Sequence, residues 1–374
     1  MATVFKSDEM STGSMGSLLL YTLPKTNLSG FFDFSSGQYL LRDSELAITD
    51  FLNVTRSSTA QGRNKTGELI TYPVNTPRFH LVESVGRYGL ASGDNMNNYF
   101  LNSNVPASQS ITFAEGTNRR YFMLVRVLGN GSVDVAGVGL EPFTVNGGSE
   151  KIIKMTSGTN TITVTKNGNP TYVQVSRVTT PYGLDPTLPL TAGNVVAKIQ
   201  DVNSLVPSKI AEAYNANGEA TVFIKMVKFD GGDNSMAPHT SNQLETIVGS
   251  NVTALGGYMG YLNLTSGNKG SITIRKQKGG SVLETSPSVV VDVNKTNVIA
   301  SRLSKTTASV FFNGLFSKME GLTSDEVEPF LYRLPSLPNT TSNQLSPNMI
   351  ICNLIIYDRL LSDAEILEIY NLLK

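Results

Sequence analysis

Between Asn102 and Ser176 the chain falls into short segments in which apolar and polar residues alternate, and this pattern constrains the fold more than any other feature. The segments are Gln109 to Phe113, Tyr121 to Leu128, Ser132 to Val135, Ile152 to Met155, Thr161 to Thr165 and Tyr172 to Val175. A period of two gives each strand one core face and one wet face. Asn130-Gly131 and Asn167-Gly168 stand between strand candidates, where a tight hairpin needs positive φ. A small antiparallel sandwich over 99–180 is therefore expected.

Strand signals return after Ala220, at Thr221 to Lys228, Gly260 to Leu264, Ser271 to Lys276, Ser288 to Asp292, Asn297 to Leu303, Ala308 to Phe312 and Met349 to Tyr357. Strands this short and this numerous fit a second sandwich or jelly roll over 208–374. It ends in a helix: Ser362 and Glu365 form a capping box, and Ile366, Leu367, Ile369, Tyr370 and Leu373 recur at helical spacing. Pro181, Pro186 and Pro189 mark a connector over 181–207, since each removes a ladder donor. Residues 31–98 read as an irregular β region with turn signals at Gly37, Gly62, Gly67 and Pro73. The sequence leaves open whether this region folds alone or lends strands to a later sandwich. Residues 1–30 carry one short apolar run, Leu18-Leu19-Leu20-Tyr21, and read as a docking arm that orders against a partner. The fold class is all-β, antiparallel β-sandwiches with a short C-terminal helix. Only 16% of residues are charged and there are 33 glycines, a balance that favours strands joined by polar turns over surface helices.

Thirty basic and thirty acidic residues cancel, which removes the charge expected of a nucleic-acid binder. No stretch approaches the roughly 20 apolar residues of a membrane helix, and no secretory leader opens the chain, so membrane insertion is not expected and synthesis in the cytoplasm is. Sequons such as Asn130-Gly131-Ser132 are then chance products of composition. Cys352 is the single cysteine, set among Met349, Ile350, Ile351 and Leu354, and reads as a buried, inert thiol.

Catalytic chemistry has little to work with. His80 and His239 are the only histidines, too few for a three-histidine metal site, and a Ser-His-Asp triad would need one of them. His80 reads as a packing or surface residue of a strand and His239 as part of a solvated loop. Asp230, Asp233 and Asn234 offer oxygen ligands that calcium accepts, but Asp, Gly and Asn also make turns, and the turn reading is favoured. Asp325, Glu326 and Glu328 cluster before Pro329 and read as an exposed loop; a glycosidase would need two such groups across a cleft. No phosphate-binding loop is present, and no catalytic, metal or cofactor site is assigned. Tryptophan is absent, so for sugar stacking the candidates are Tyr258 and Tyr261, neighbours of which one can face out of a strand while the other packs.

Three stretches carry a resemblance. Val54-Thr55-Arg56-Ser57-Ser58-Thr59-Ala60, followed by Gly62 and Asn75-Thr76-Pro77-Arg78-Phe79, resembles a recurrent opening of tailed-phage tail-fibre-like and other virion structural proteins. Phe100-Leu101-Asn102-Ser103, Ala107 to Phe113, Gly129 to Val133 and Tyr172 to Val175 resemble the small sandwich that follows it there; where that pattern carries a Glu-Arg pair, this chain reads Tyr88 to Asn95. Ser309 to Gly314 with Leu354 to Ile366 is similar to the end of concanavalin A-like (LamG) sandwiches. The resemblance implies a non-enzymatic structural component of a tailed-phage virion: a short fibre, collar, tail or head-decoration protein. It implies docking through the N-terminal region, contact with other virion proteins (capsid, collar or tail), homo-oligomerisation and residence in the virion. The alternative is a host-recognition adhesin that binds surface polysaccharide, with a polysaccharide depolymerase ranked third.

Overall fold

The computed structural model describes residues 15–82, 85–92, 96–113, 122–155, 161–178, 196–198, 202–228, 244–249, 257–265, 269–278, 281–285, 289–291, 295–305, 308–318, 334 and 349–374. The N-terminal part holds α1 (Met15–Thr22), β1 (Leu28–Asp33), β2 (Gln38–Leu41), β3 (Ser44–Glu45), α2 (Ile48–Phe51), β4 (Leu52–Thr55), β5 (Ala60–Arg63), β6 (Leu69–Tyr72), β7 (Phe79–Val82) and β8 (Arg87–Ser92). Next come β9 (Met96–Asn98), β10 (Gln109–Thr112), β11 (Phe122–Gly137), β12 (Leu140–Asn146), β13 (Ser149–Lys154), β14 (Thr161–Val178) and β15 (Val196–Lys198). The C-terminal part holds β16 (Val202–Leu205), α3 (Pro207–Glu212), β17 (Ala220–Lys228), β18 (Leu244–Gly249), β19 (Gly257–Thr265), β20 (Lys269–Lys278), β21 (Ser281–Thr285), β22 (Val289–Val291), β23 (Thr296–Leu303), β24 (Ala308–Phe312), β25 (Leu315–Lys318), β26 (Met349–Tyr357) and α4 (Asp363–Leu373). The all-β class read from the sequence is what the chain adopts: the strands form antiparallel sheets and the helices are short.

The largest sheet runs β25-β24-β23-β17-β26-β1-β2-β3, with β8 also paired to β26 and β7 paired to β8. One edge of β26 is met by β17 along its length, while the other edge is shared. Asp33 to Leu28 pair with Asn353 to Tyr357, and Leu90 to Ser92 pair with Ile351 to Met349. The question left open by the sequence is thereby answered: residues 28–92 lend strands to the sheet that the C-terminal strands build.

The run Met349 to Tyr357 is buried throughout, as an apolar segment should be when its sheet is covered on both faces. A bulge at Cys352, where Lys225 pairs Asn353 but Met226 pairs Ile351, switches the facing of the strand. Met349, Ile351, Leu354 and Ile356 thus share a core with Phe32, Tyr39, Val222, Ile224, Ile299 and Phe51. Ile355 and Tyr357 face the other way, with Phe31, Phe223, Val298 and Phe311, beneath Ile366, Ile369 and Leu373 of α4.

The capping box of α4 forms as read: Ser362 accepts from the Glu365 amide, and Glu365 accepts from the Ser362 amide. Residues 15–30 depart from a free docking arm. Leu19 and Leu20 pack on the core beneath α4, Leu23 is buried in it, and β1 starts at Leu28. The physical reason is that Leu19 and Leu20, in an apolar run too small for a core of its own, lose water-exposed surface by packing there.

The small sandwich also forms, but not with the hairpins expected. Phe122 to Leu128 and Ser132 to Val135 belong to one strand, β11, and Thr161 to Thr165 and Tyr172 to Val175 to another, β14; Tyr121 lies outside the described residues. These two pair along their whole length; β11 takes β13 on its other edge in its first half and β12 in its second. Asn130-Gly131 and Asn167-Gly168 therefore close no hairpin. They face each other across the ladder beside a bulge at Thr171, through which both halves of β14 present valines and isoleucines to one core with Val125, Val127, Val133 and Val135. Close approach is what demands glycine here: a Cβ on Gly131 would stand 2.5 Å from the Asn167 carbonyl oxygen, and one on Gly147 only 1.8 Å from that of Gly129. Besides these sheets, β18-β19-β20-β21 form a ladder with β22 beside β20, and β4 pairs β16 and β5 pairs β6.

Candidate functional site

The tyrosines singled out as glycan contacts lie in β19, whose backbone ladder places Tyr258 opposite Lys276 and Tyr261 opposite Thr273. Three positions apart in an unbroken ladder, they belong to alternate faces of the strand. Asp230, Asp233, Asn234, His239, Asp325, Glu326 and Glu328 lie outside the described residues.

His80 is buried, and its Nδ1 accepts a hydrogen bond from the Arg63 amide at 3.2 Å. Burial first, then the charges of Arg78, Arg63 and Arg126, pushes its pKa down to about 3. A neutral ring with one nitrogen occupied is a packing element. Cys352 is equally inert: burial raises its thiol to about 11.

The motif around Arg56 acquires a physical role. Arg56 is fully buried, and its guanidinium donates to the carbonyls of Ser58 at 2.9 Å, Thr76 at 3.2 Å and Pro73 at 2.6 Å. The backbone of Arg56 is bonded reciprocally to Asn75, whose φ is 54°. The stretches Val54 to Ala60 and Asn75 to Phe79 are thus two halves of one locked corner.

The feature with most chemistry is a row across the main sheet. Gln38 pairs directly with Asp33, Asp33 with Asn353, and Asn353 with Lys225, so four polar residues on β2, β1, β26 and β17 line up on one face. Direct cross-strand partners sit about 5 Å apart at Cβ. On that face the row continues into Val298, opposite Lys225 on β23, and is flanked by Phe31, Phe223 and Ile355 on one side and Val227, Ile350 and Cys352 on the other. Arg87 joins from β8, its Nε donating to Thr296 Oγ1 of β23 at 3.2 Å.

Asp33 is 2% exposed and Asn353 4%, whereas Lys225, Gln38 and Arg87 are half-buried. The Lys225 ammonium is held below the ordinary lysine value because burial strips its water and Arg87 repels it; Cys352 and Asp33 act in the opposite direction. Asp33 Oδ1 accepts from the amides of Ser35 and Ser36, while Gln38 Oε1 and Ser36 Oγ are buried without a hydrogen-bond partner among the described residues. Sequence reading passed over this row, although Lys225 within Phe223 to Val227 and Asn353 within Met349 to Tyr357 interrupt apolar runs. That interruption was the available signal.

Neither a family model nor a curated protein matches the chain. Among solved structures, a Trypanosoma rangeli sialidase in complex with 2,3-difluorosialic acid is similar over 45% of this chain and 26% of its own, at 12% identity and a TM-score of 0.30. The CBM40 of the Ruminococcus gnavus IT-sialidase, bound to alpha2,3 sialyllactose, is similar over 41% of this chain and 82% of its own, at 16% identity and a TM-score of 0.28. Another T. rangeli sialidase complex is covered over 59% of its length by 89% of this chain, at 10% identity and a TM-score of 0.30. The chain thus spans about a quarter of the first of these sialidases.

Proposed function

We propose that the chain is a non-enzymatic structural component of a tailed-phage virion, of the short fibre, collar, tail or head-decoration kind, which displays its sandwiches from the particle. The observation that carries this reading is the Arg56 corner. The two stretches that resemble the recurrent opening of virion proteins are joined by one buried guanidinium, which gives the resemblance a structural unit.

Docking is assigned to the layer of α1 and α4, because residues 15–30 fold onto the chain itself. Tyr21 there is 79% exposed, and Leu367 and Leu372 are also exposed. Homo-oligomerisation through sheet edges or this layer accords with the symmetry of such particles. Recognition of host surface polysaccharide is the second reading.

Immunogold labelling of phage particles with antibody against residues 190–374 tests the first reading. Label at one recurring position is expected. Unlabelled particles beside freely soluble protein would remove the virion assignment.

A further inference from the structure

We propose that Lys225 and Asn353, direct partners on β17 and β26, become joined by an intramolecular isopeptide bond, with Asp33 of β1 as the proton carrier. The bond is independent of the virion reading. It needs no ligand and no opening to solvent, because every reacting group belongs to the chain and meets its partners as the sheet assembles.

Register supplies the first argument. Asn353 pairs with Lys225 across one edge of β26 and with Asp33 across the other, so an amine, a carboxamide and a carboxylate stand side by side on one face. Neighbouring Cβ atoms in such a row are about 5 Å apart, a gap that the flexible lysine stem spans by folding toward its partner. Holding the amine against the carboxamide turns an unproductive encounter between two side chains in water into a reaction within one molecule.

Surroundings supply the second. Asp33 and Asn353 are buried, Phe31, Phe223 and Ile355 lie along one side of the trio, and Val227 and Ile350 lie along the other. Lysine attacks carbon only as the neutral amine. Burial and the charge of Arg87 both favour that form of Lys225, which has no hydrogen bond or ion pair among the described residues to engage its nitrogen. The product also relieves the sheet, since a half-buried ammonium is replaced by a neutral amide.

The reaction balances without a co-reactant. Lys225 Nζ adds to Asn353 Cγ, Asp33 takes a proton from the attacking nitrogen and passes it to Asn353 Nδ2, the Cγ–Nδ2 bond breaks, and ammonia leaves. The Ser35 and Ser36 amides hold Asp33 through Oδ1, which leaves Oδ2 for the transfer. This is a single event in which the chain modifies itself, and it fastens two strands of the main sheet against unzipping.

Intact-mass spectrometry of the denatured full chain tests the bond. The parent is expected to weigh less than its sequence by one ammonia, and trypsin should fail to cut after Lys225 and release a branched peptide that joins this residue to Asn353. Lys225→Arg and Asn353→Ser should show their full sequence mass, as should Asp33→Asn, in which both bonded residues remain. Thermal melting reports that each variant is folded. A parent of full sequence mass after prolonged incubation, with Lys225 and Asn353 in separate peptides, would overturn the proposal whatever the variants do. Loss of ammonia mapped to an Asn-Gly step instead would overturn it too, and a branched peptide from folded Asp33→Asn would remove the role of Asp33.

Discussion

At the residue scale, two buried cationic or cationisable side chains govern the corner formed by residues 54–82. The buried guanidinium of Arg56 is bonded to three carbonyls, so Arg56→Met removes charge-assisted hydrogen bonds that tie the two halves of the corner together. A loss of roughly 3 kcal/mol is expected in urea unfolding. His80 sets a pH dependence. Its native pKa near 3 lies below the 6.5 of an exposed histidine, so between these values the unfolded chain binds a proton that the native chain does not. Its contribution is complete above pH 6.5 and declines as pH falls toward 3, by about 1.4 kcal/mol per unit. Urea melts at pH 7.5, 6 and 5 should show this slope in the parent protein and a flatter profile in His80→Asn. An unchanged slope would assign the acid sensitivity to other groups.

At the element scale, the small sandwich depends on two strands of 16 and 18 residues that stay paired past a corner. The corner is possible because backbones approach where no Cβ intervenes. Gly147→Ala would place its methyl 1.8 Å from the Gly129 carbonyl oxygen, a backbone atom that cannot swing aside. We expect a loss of about 2 kcal/mol or more, in line with overpacking elsewhere. Gly148→Ala meets no atom within 4 Å but sits at φ 77°, so its smaller cost is conformational strain alone, roughly 1 kcal/mol. Thermal melting of the pair separates the two causes. Near-equal losses would mean that the corner relaxes.

At the scale of the whole molecule, chain order and spatial order diverge. β26, near the C-terminus, lies between β17 on one edge and β1 and β8 on the other, so the main core is closed only when both ends of the chain are present. A fragment of residues 208–374 should therefore fail to show cooperative unfolding, whereas residues 96–200, which contain all seven strands of the small sandwich and its core, should fold alone. Circular dichroism with urea titration distinguishes these outcomes; a cooperative 208–374 fragment would refute the shared core.

What the sequence determined by itself was local. Period-two alternation made Val125, Val127, Val133 and Val135 core residues of a strand, a mostly apolar run marked Met349 to Tyr357 as another strand, and Ser362 with Glu365 placed the start of α4. Those signals act within a few residues, through side-chain facing and backbone hydrogen bonding. Tertiary structure alone decided that Gly131 and Gly168 serve a close approach, that Leu19 and Leu20 cover the protein's own core, and that Gln38, Asp33, Asn353 and Lys225 share one face. The pairing of Asp33 with Asn353 spans 320 positions, and cross-strand register at that separation is set by the packing of whole sheets, which no local pattern encodes.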